Sequence, residues 1–263
     1  MPNQTEEGGG RRAEAGEIAP GGIIPAMQRR WIFVSIAVVI VVTAGVYLFR
    51  TYHPSSLRAA QAFAWIRDPG SHPELVTEAG SRCGDAPFFF PTTGVPGYIW
   101  DDSFQMGHRH QGVDIFAGTD VNVTPVIAAY PGYLTRLPEW KSSVIVRVPS
   151  DPLQPGRETW VYYTHMADPN GNSFISADFP PGTYEQQIEA GRLLGHQGDY
   201  SGDPNNPVGV HLHISIVKDD AGKFMNELDI NNTYDPSPYF GMPLNARTNP
   251  DKVPVCDAGA SSQ

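Results

Sequence analysis

The residues able to do chemistry in this sequence are mostly histidines. His110 and Asp114 stand four apart in His110-Gln111-Gly112-Val113-Asp114, and His211 and His213 stand two apart in His211-Leu212-His213-Ile214-Ser215-Ile216. Gly112 and the following Ile115-Phe116-Ala117-Gly118 argue against a helix, and on an extended chain an even separation returns both members of the first pair to one face. The same two-residue period puts His211, His213 and Ser215 on one face of a strand. Leu212, Ile214 and Ile216 then lie on the other, where they can enter a core beneath the imidazoles. Two His and one Asp around a metal leave a fourth tetrahedral position for water, the arrangement of catalytic rather than structural zinc. Spacing alone leaves a metal site and a pair of packed histidines equally open. His53, His72 and His108 read as surface residues, and His196 has no evident role.

Such side chains need strands to carry them. From about Pro87 onward, short apolar or alternating runs are separated by Gly, Pro, Asn and Asp. The predicted strands are 112–116, 125–129, 132–136, 143–148, 159–164 and 211–217, joined by turns at 168–172 and 219–222. The 27 Gly and 25 Pro of the 263 residues exceed average usage and favour a turn-rich β protein. The expected fold class is mainly β, an antiparallel sheet or sandwich with long loops, preceded by a single transmembrane helix. No P-loop, dinucleotide fingerprint or Gly-x-Ser-x-Gly elbow is present. A net charge of −10 excludes nucleic acid as a partner, because phosphate binding needs clustered Lys and Arg.

Taken in order, His110-x-Gly112-Val113-Asp114, Tyr163-Thr164-His165-Met166, Gly191…Gly195…Gly198…Gly202, His211-Leu212-His213 and Asp235-Pro-Ser-Pro-Tyr239-Phe240 resemble the lysostaphin/LytM-type zinc metalloendopeptidases. These are peptidoglycan hydrolases with a duplicated hybrid motif domain, and the similarity covers roughly residues 86–242. The resemblance implies one Zn2+ held by His110, Asp114 and His213, with His165 and His211 as the non-ligand catalytic histidines. It implies attack of a zinc-activated water on a peptide carbonyl of the cell wall. The sequence departs from the family in its loops. Asp203–Pro207 and Asp120–Thr124 lengthen two turns, and Ile99-Trp100-Asp101-Asp102-Ser103-Phe104 replaces the usual opening motif. Tyr98, Trp100, Tyr200 and Phe104 are candidate substrate-groove aromatics, with loop packing as the alternative.

The remainder of the chain bears on location. Trp31–Phe49 has no charged residue over 19 positions, enough for a helix of about 28 Å, close to the hydrocarbon thickness. Arg29 and Arg30 precede it and Arg50 follows, which places the N-terminus in the cytoplasm and the rest outside. A cleaved signal peptide, with a site near Val42-Thr43-Ala44, is the rival reading. Residues 1–30, with four Arg and four Glu, are expected to be a disordered cytoplasmic tail. Residues 50–85 form a stalk or a segment packed on the domain. Within them a helix from Ser55 or Ser56 to about Ile66 would present Leu57, Ala60, Ala64 and Phe63 as its apolar side. Residues 243–263 form a C-terminal tail. Cys83 and Cys256 bracket the domain, and in an exported protein they are expected to form a disulfide.

The expected function is that of a membrane-anchored zinc endopeptidase, held to the cytoplasmic membrane by residues 31–49 and acting on peptidoglycan peptides outside it. Relatives that keep the fold but lose metal ligands act as wall-binding or activator modules, and here all three ligand positions and both accessory histidines are filled. A zinc peptidase of an extracytoplasmic protein would use the same residues.

Overall fold

In the computed structural model, residues 26–52, 56–103 and 107–256 are described. Residues 1–25 of the expected tail at 1–30, His53 and Phe104 lie outside them. The chain divides into two units, 1–47 and 48–263. The described residues of the first lie in a helix, α1 (Ala26–Tyr52), which is longer at both ends than the apolar run alone predicts. Its stretch Arg30–Leu48 is long and apolar enough to cross a membrane, as a span or as a signal sequence, and its side chains are exposed throughout.

The second unit is mainly antiparallel β. A short helix, α2 (Ser56–Arg67), precedes strands β1 (Val95–Tyr98), β2 (Val113–Phe116), β3 (Pro125–Ile127), β4 (Gly132–Thr135), β5 (Val144–Val148), β6 (Thr159–Thr164), β7 (Gln186–Ile188), β8 (Leu193–His196), β9 (Leu212–Lys218) and β10 (Thr233–Tyr234). The large sheet runs β1-β2-β9-β6-β5-β4-β7, with β10 also pairing β9, while β3 and β8 form a separate ribbon. The six strands expected from alternation are present within a residue or two. Strands β1, β7, β8 and β10 are additional, each only two to four residues long and so too short to carry a period.

Alternation decides which face is core. Val113, Ile115, Leu212, Ile214, Ile216, Val161, Tyr163, Val144 and Val146 all join one buried cluster with Phe88, Phe90 and Tyr239. Tyr163 is fully buried, and its hydroxyl accepts the Ala129 N–H at 2.9 Å. The opposite face of β2, β9 and β6 carries Asp114, His213, Ser215, Tyr162 and Thr164 at its centre, flanked by Phe116 in one smaller apolar cluster and by Trp160 and Val217 in another.

The segments flanking the motif region are integral to the domain. Helix α2 packs against β1, and Ala62, Trp65, Val95, Phe116 and Val253 form a second apolar cluster. The expected apolar face of α2 is not its buried one: Leu57, Ala60, Phe63 and Ala64 are exposed, whereas Arg58, Ala62 and Trp65 point inward at i, i+4 and i+7. The large Trp65 ring sets the rotation, and Arg58 tolerates burial because it finds a partner in Asp102. The C-terminal segment buries Leu244, Ala246 and Val253.

Cys83 and Cys256 are joined as a disulfide 173 residues apart in sequence. Closing so long a loop removes chain entropy from the unfolded state, about 5 kcal/mol in the loop-entropy model. Thiol titration under denaturing, non-reducing conditions is expected to find no free cysteine. Replacing both with Ser should lower unfolding stability by about 2–5 kcal/mol in a denaturant titration.

Candidate metal centre

The pairing of β2 with β9 builds the site. Its register sets Asp114 opposite His213, while Tyr98 of β1 pairs Asp114 and Thr164 of β6 pairs His213. Directly opposed residues point to the same face, so Tyr98, Asp114, His213 and Thr164 form one row across four strands. His110 enters this row from the loop before β2.

Three ligand-type atoms converge there. His110 Nε2 lies 3.1 Å from Asp114 Oδ1 and 3.1 Å from His213 Nδ1, and His213 Nδ1 lies 2.8 Å from the same carboxylate oxygen. All three side chains are buried or nearly so. The outer nitrogens are fixed by other groups. His110 Nδ1 donates to the Ile99 carbonyl at 3.1 Å, and His213 Nε2 is engaged by Ser215 Oγ at 2.8 Å. In the neutral imidazoles this directs the remaining lone pairs inward, the tautomer control typical of metal-binding histidines. Three buried acceptors at such separations repel one another unless a positive charge lies among them. Tetrahedral ligands at roughly 2.0–2.1 Å from zinc stand about 3.3 Å apart, within a few tenths of an ångström of these distances. The donor set therefore fits zinc.

The electrostatics point the same way. Burial alone would raise the Asp114 carboxyl, but the neighbouring His110 and His211 charges and hydrogen bonds from His110 and His213 hold it well below the usual carboxylate range. Burial works against the charged form of His110, yet the Asp114 carboxylate outweighs it and raises His110 above its ordinary value. Burial dominates at His213, which is lowered despite Asp114, with His110 and His211 adding to the effect. The centre of the three thus attracts positive charge.

Two more imidazoles stand beside this cluster. His211 Nε2 lies 3.6 Å from Asp114 Oδ1, and its Nδ1 donates to the Gly209 carbonyl at 2.9 Å. His165 follows the last residue of β6 with φ of 72°, a left-handed conformation that costs a non-glycine residue about 1–3 kcal/mol. That turn brings its ring 4.5 Å, centroid to centroid, from His211, while its Nδ1 donates to the Tyr200 carbonyl at 2.7 Å. Burial, with His211 and His213 alongside, pushes His165 down to about 3, so it is neutral at physiological pH.

The site opens into a cavity of about 790 Å³. Its lining includes all five of these residues together with Tyr98 and Tyr200, the latter two among the expected groove aromatics. Trp100 does not line it; its indole N–H donates to Thr233 Oγ1 at 2.9 Å, turning the ring toward β10. His108, expected at the surface, lines the cavity, and burial beside His110 lowers its pKa. Sequence reasoning missed the hydroxyl group cluster of Ser142, Ser143, Tyr162 and Thr164, in which Ser143 Oγ lies 2.6 Å from Thr164 Oγ1. Tyr162 and Thr164 sit on the strand that leads to His165, and their two-residue spacing was the available signal. Asn206 and Pro207 of the lengthened turn also reach the cavity, as do Glu227 and Leu228 from beyond β9.

Comparison with solved structures finds similarity to a candidate glycyl-glycine endopeptidase LytM from Ruminococcus gnavus, at 20% identity over 54% of this chain and 47% of that one, with a TM-score of 0.32. Csd3 from Helicobacter pylori matches at 18% identity over 55% of this chain and 32% of that one, TM-score 0.31. A candidate M23 peptidase from Pseudomonas aeruginosa matches at 19% identity over 69% and 63%, TM-score 0.34. The chain spans less than two thirds of the length of each of these three. No protein-family model and no curated protein sequence matches it.

The tight fit of β2 against β9 depends on one glycine. A Cβ at Gly112 would stand 2.2 Å from the Ile214 carbonyl oxygen, 2.6 Å from Ser215 Oγ and 2.9 Å from His213 Nε2. Gly112→Ala is expected to lower unfolding stability by about 3 kcal/mol. It should also weaken zinc binding in a chelator competition, because the strands must part where Asp114 meets His213.

Proposed function

We propose that this chain is a membrane-anchored zinc endopeptidase that hydrolyses peptide bonds of cell-wall peptidoglycan outside the cytoplasmic membrane. Convergence of His110 Nε2, Asp114 Oδ1 and His213 Nδ1 within 4.8 Å of one another, beside the buried His211 and the half-buried His165 in one cavity, carries the reading. The ordered sequence motifs supply the substrate class. The apolar helix, with Arg29 and Arg30 on its N-terminal side, supplies the anchor and its orientation.

In this reading His110, Asp114 and His213 hold one zinc ion. When bound, zinc supplies a Lewis acid that polarises a substrate carbonyl and acidifies water. The chain's own residues do the rest. His165 is neutral and its Nδ1 is occupied by the Tyr200 carbonyl, so Nε2 is the nitrogen able to accept a proton from the attacking water. His211, held through Nδ1 by Gly209, presents Nε2 to the same space. One of the pair takes the proton on Nε2 and delivers it to the departing amine, and the other can donate a hydrogen bond to the developing oxyanion only as the imidazolium, because its Nδ1–H is held by a backbone carbonyl. No glutamate of the helical His-Glu-x-x-His type is present, so imidazole performs this work. Tyr98 and Tyr200 flank the substrate on the cavity wall.

Metal analysis of the full chain purified in detergent should find one zinc per chain, lost in His110→Ala and in Asp114→Ala. His211→Ala is expected to retain zinc while turnover falls about 10²–10⁴-fold. Incubating the chain with purified peptidoglycan and identifying the released peptides by mass spectrometry tests the substrate. A well-folded protein devoid of zinc would sink the catalytic reading.

A further inference from the structure

Helix α2 lines no part of the cavity, yet three lines of contact run from it to residues that do. The first begins at Arg58. Its side chain is 0% exposed and pairs with Asp102, also 0% exposed, while Nη1 donates to the Asn249 and Pro250 carbonyls at 2.7 and 3.0 Å. Asp102 in turn organises a tight turn. Its Oδ2 accepts the Ile99 N–H at 3.3 Å, its Oδ1 accepts the Ser103 N–H at 3.1 Å, and its carbonyl accepts the His110 N–H at 2.8 Å. That turn grips His110 twice more. The Ile99 carbonyl takes the Nδ1–H of the ring, and the Asp101 N–H donates to the His110 carbonyl at 2.8 Å.

The other two lines are apolar. Ala62 and Trp65 pack in one cluster with Phe116, whose ring stacks on His211 at 4.9 Å and 28°. Phe63 meets Tyr98 edge-on at 6.1 Å, and Tyr98 meets His110 at 6.4 Å.

We propose that Arg58 is a positioning residue for the metal centre. By fixing the Ile99–Asp102 turn it sets the ring orientation of His110, which makes α2 a working part of the site although it lies outside the motif-bearing segment. This inference rests on the zinc reading given above. Arginine suits the role because a planar fork serves Asp102 and two backbone carbonyls at once, whereas a lysine ammonium is a single point charge. Partners behind a ligating imidazole hold its orientation, and their loss weakens metal binding about 10–100-fold.

The experiment uses the full chain in detergent. Zinc affinity is measured by competition with a chelator, and site geometry by the visible spectrum after Co2+ replacement. Arg58→Lys is expected to weaken zinc by about 10–100-fold and to change the Co2+ bands. Arg157→Lys, at the Arg157–Asp151 pair away from the cavity, should lower thermal stability while leaving both readouts unchanged. Thermodynamic reciprocity adds a measurement that needs no variant: if α2 holds the metal site, metal loading must slow amide exchange in residues 58–67. Wild-type zinc affinity and Co2+ spectrum in Arg58→Lys would overturn the proposal. So would unchanged α2 exchange on loading, even if the variant failed to fold. A wild-type chain that binds neither metal would overturn the zinc reading itself, and with it this inference, and is told apart because the unmutated protein fails.

Discussion

Everything at the site depends on the register in which β2 pairs β9. Asp114 opposite His213 is a one-residue statement, and a slip of β2 by one would turn Asp114 into the core and set Val113 or Ile115 opposite His213 instead. The apolar residues that alternate with them enforce the choice. Val113, Ile115, Leu212 and Ile214 are all essentially inaccessible, so the register that buries them is the register that exposes the donors to one another. Core packing and site assembly are therefore one event. Gly112 allows it, since any side chain there would hold the two strands apart.

A buried cluster of acceptors would ordinarily weaken a fold. Here each ring is backed on its outer nitrogen by Ile99, Ser215, Gly209 or Tyr200, three of them through main-chain carbonyls. The surroundings thus satisfy half of each imidazole and direct the other half inward. Asp114 is kept ionised by His110, His211 and His213, and its carboxylate is the charge that a cation at the centre would meet. The left-handed backbone at His165 belongs to the same economy of placement, because a regular continuation of β6 would carry its ring along the strand instead of toward His211.

The domain also extends beyond its motifs in both directions. α2 closes over β1 and Phe116, while the segment after α3 (Ser237–Phe240) threads back to Trp100 through the Leu244 and Ala246 backbone. The Cys83–Cys256 disulfide ties the two extensions at the domain's margin. Residues 56–85 and 243–256 are therefore structural parts of the folded unit, and Arg58 with its carbonyl partners at 249 and 250 joins one to the other.

Alternation in 113–116, 159–164 and 212–218 is a local property, so the mainly β class, six strands and the inward-facing apolar set were legible from the chain alone. The histidine spacings were equally local and singled out His110, Asp114, His211 and His213, whereas His165 was named only by the family resemblance of Tyr163-Thr164-His165-Met166. What alternation could not tell was partner choice. Strands as short as β1, β7 and β10 have no period to read and exist because a neighbour supplies their hydrogen bonds. The turning of Trp100 toward Thr233, the arrival of His108 and Glu227 at the cavity, and the inward face of α2 all depend on residues far away in sequence. Arg58 shows the limit most clearly. In the sequence it is a charge on a short helix, and only the fold carries Asp102, 44 residues on, to the place where burying that charge becomes favourable.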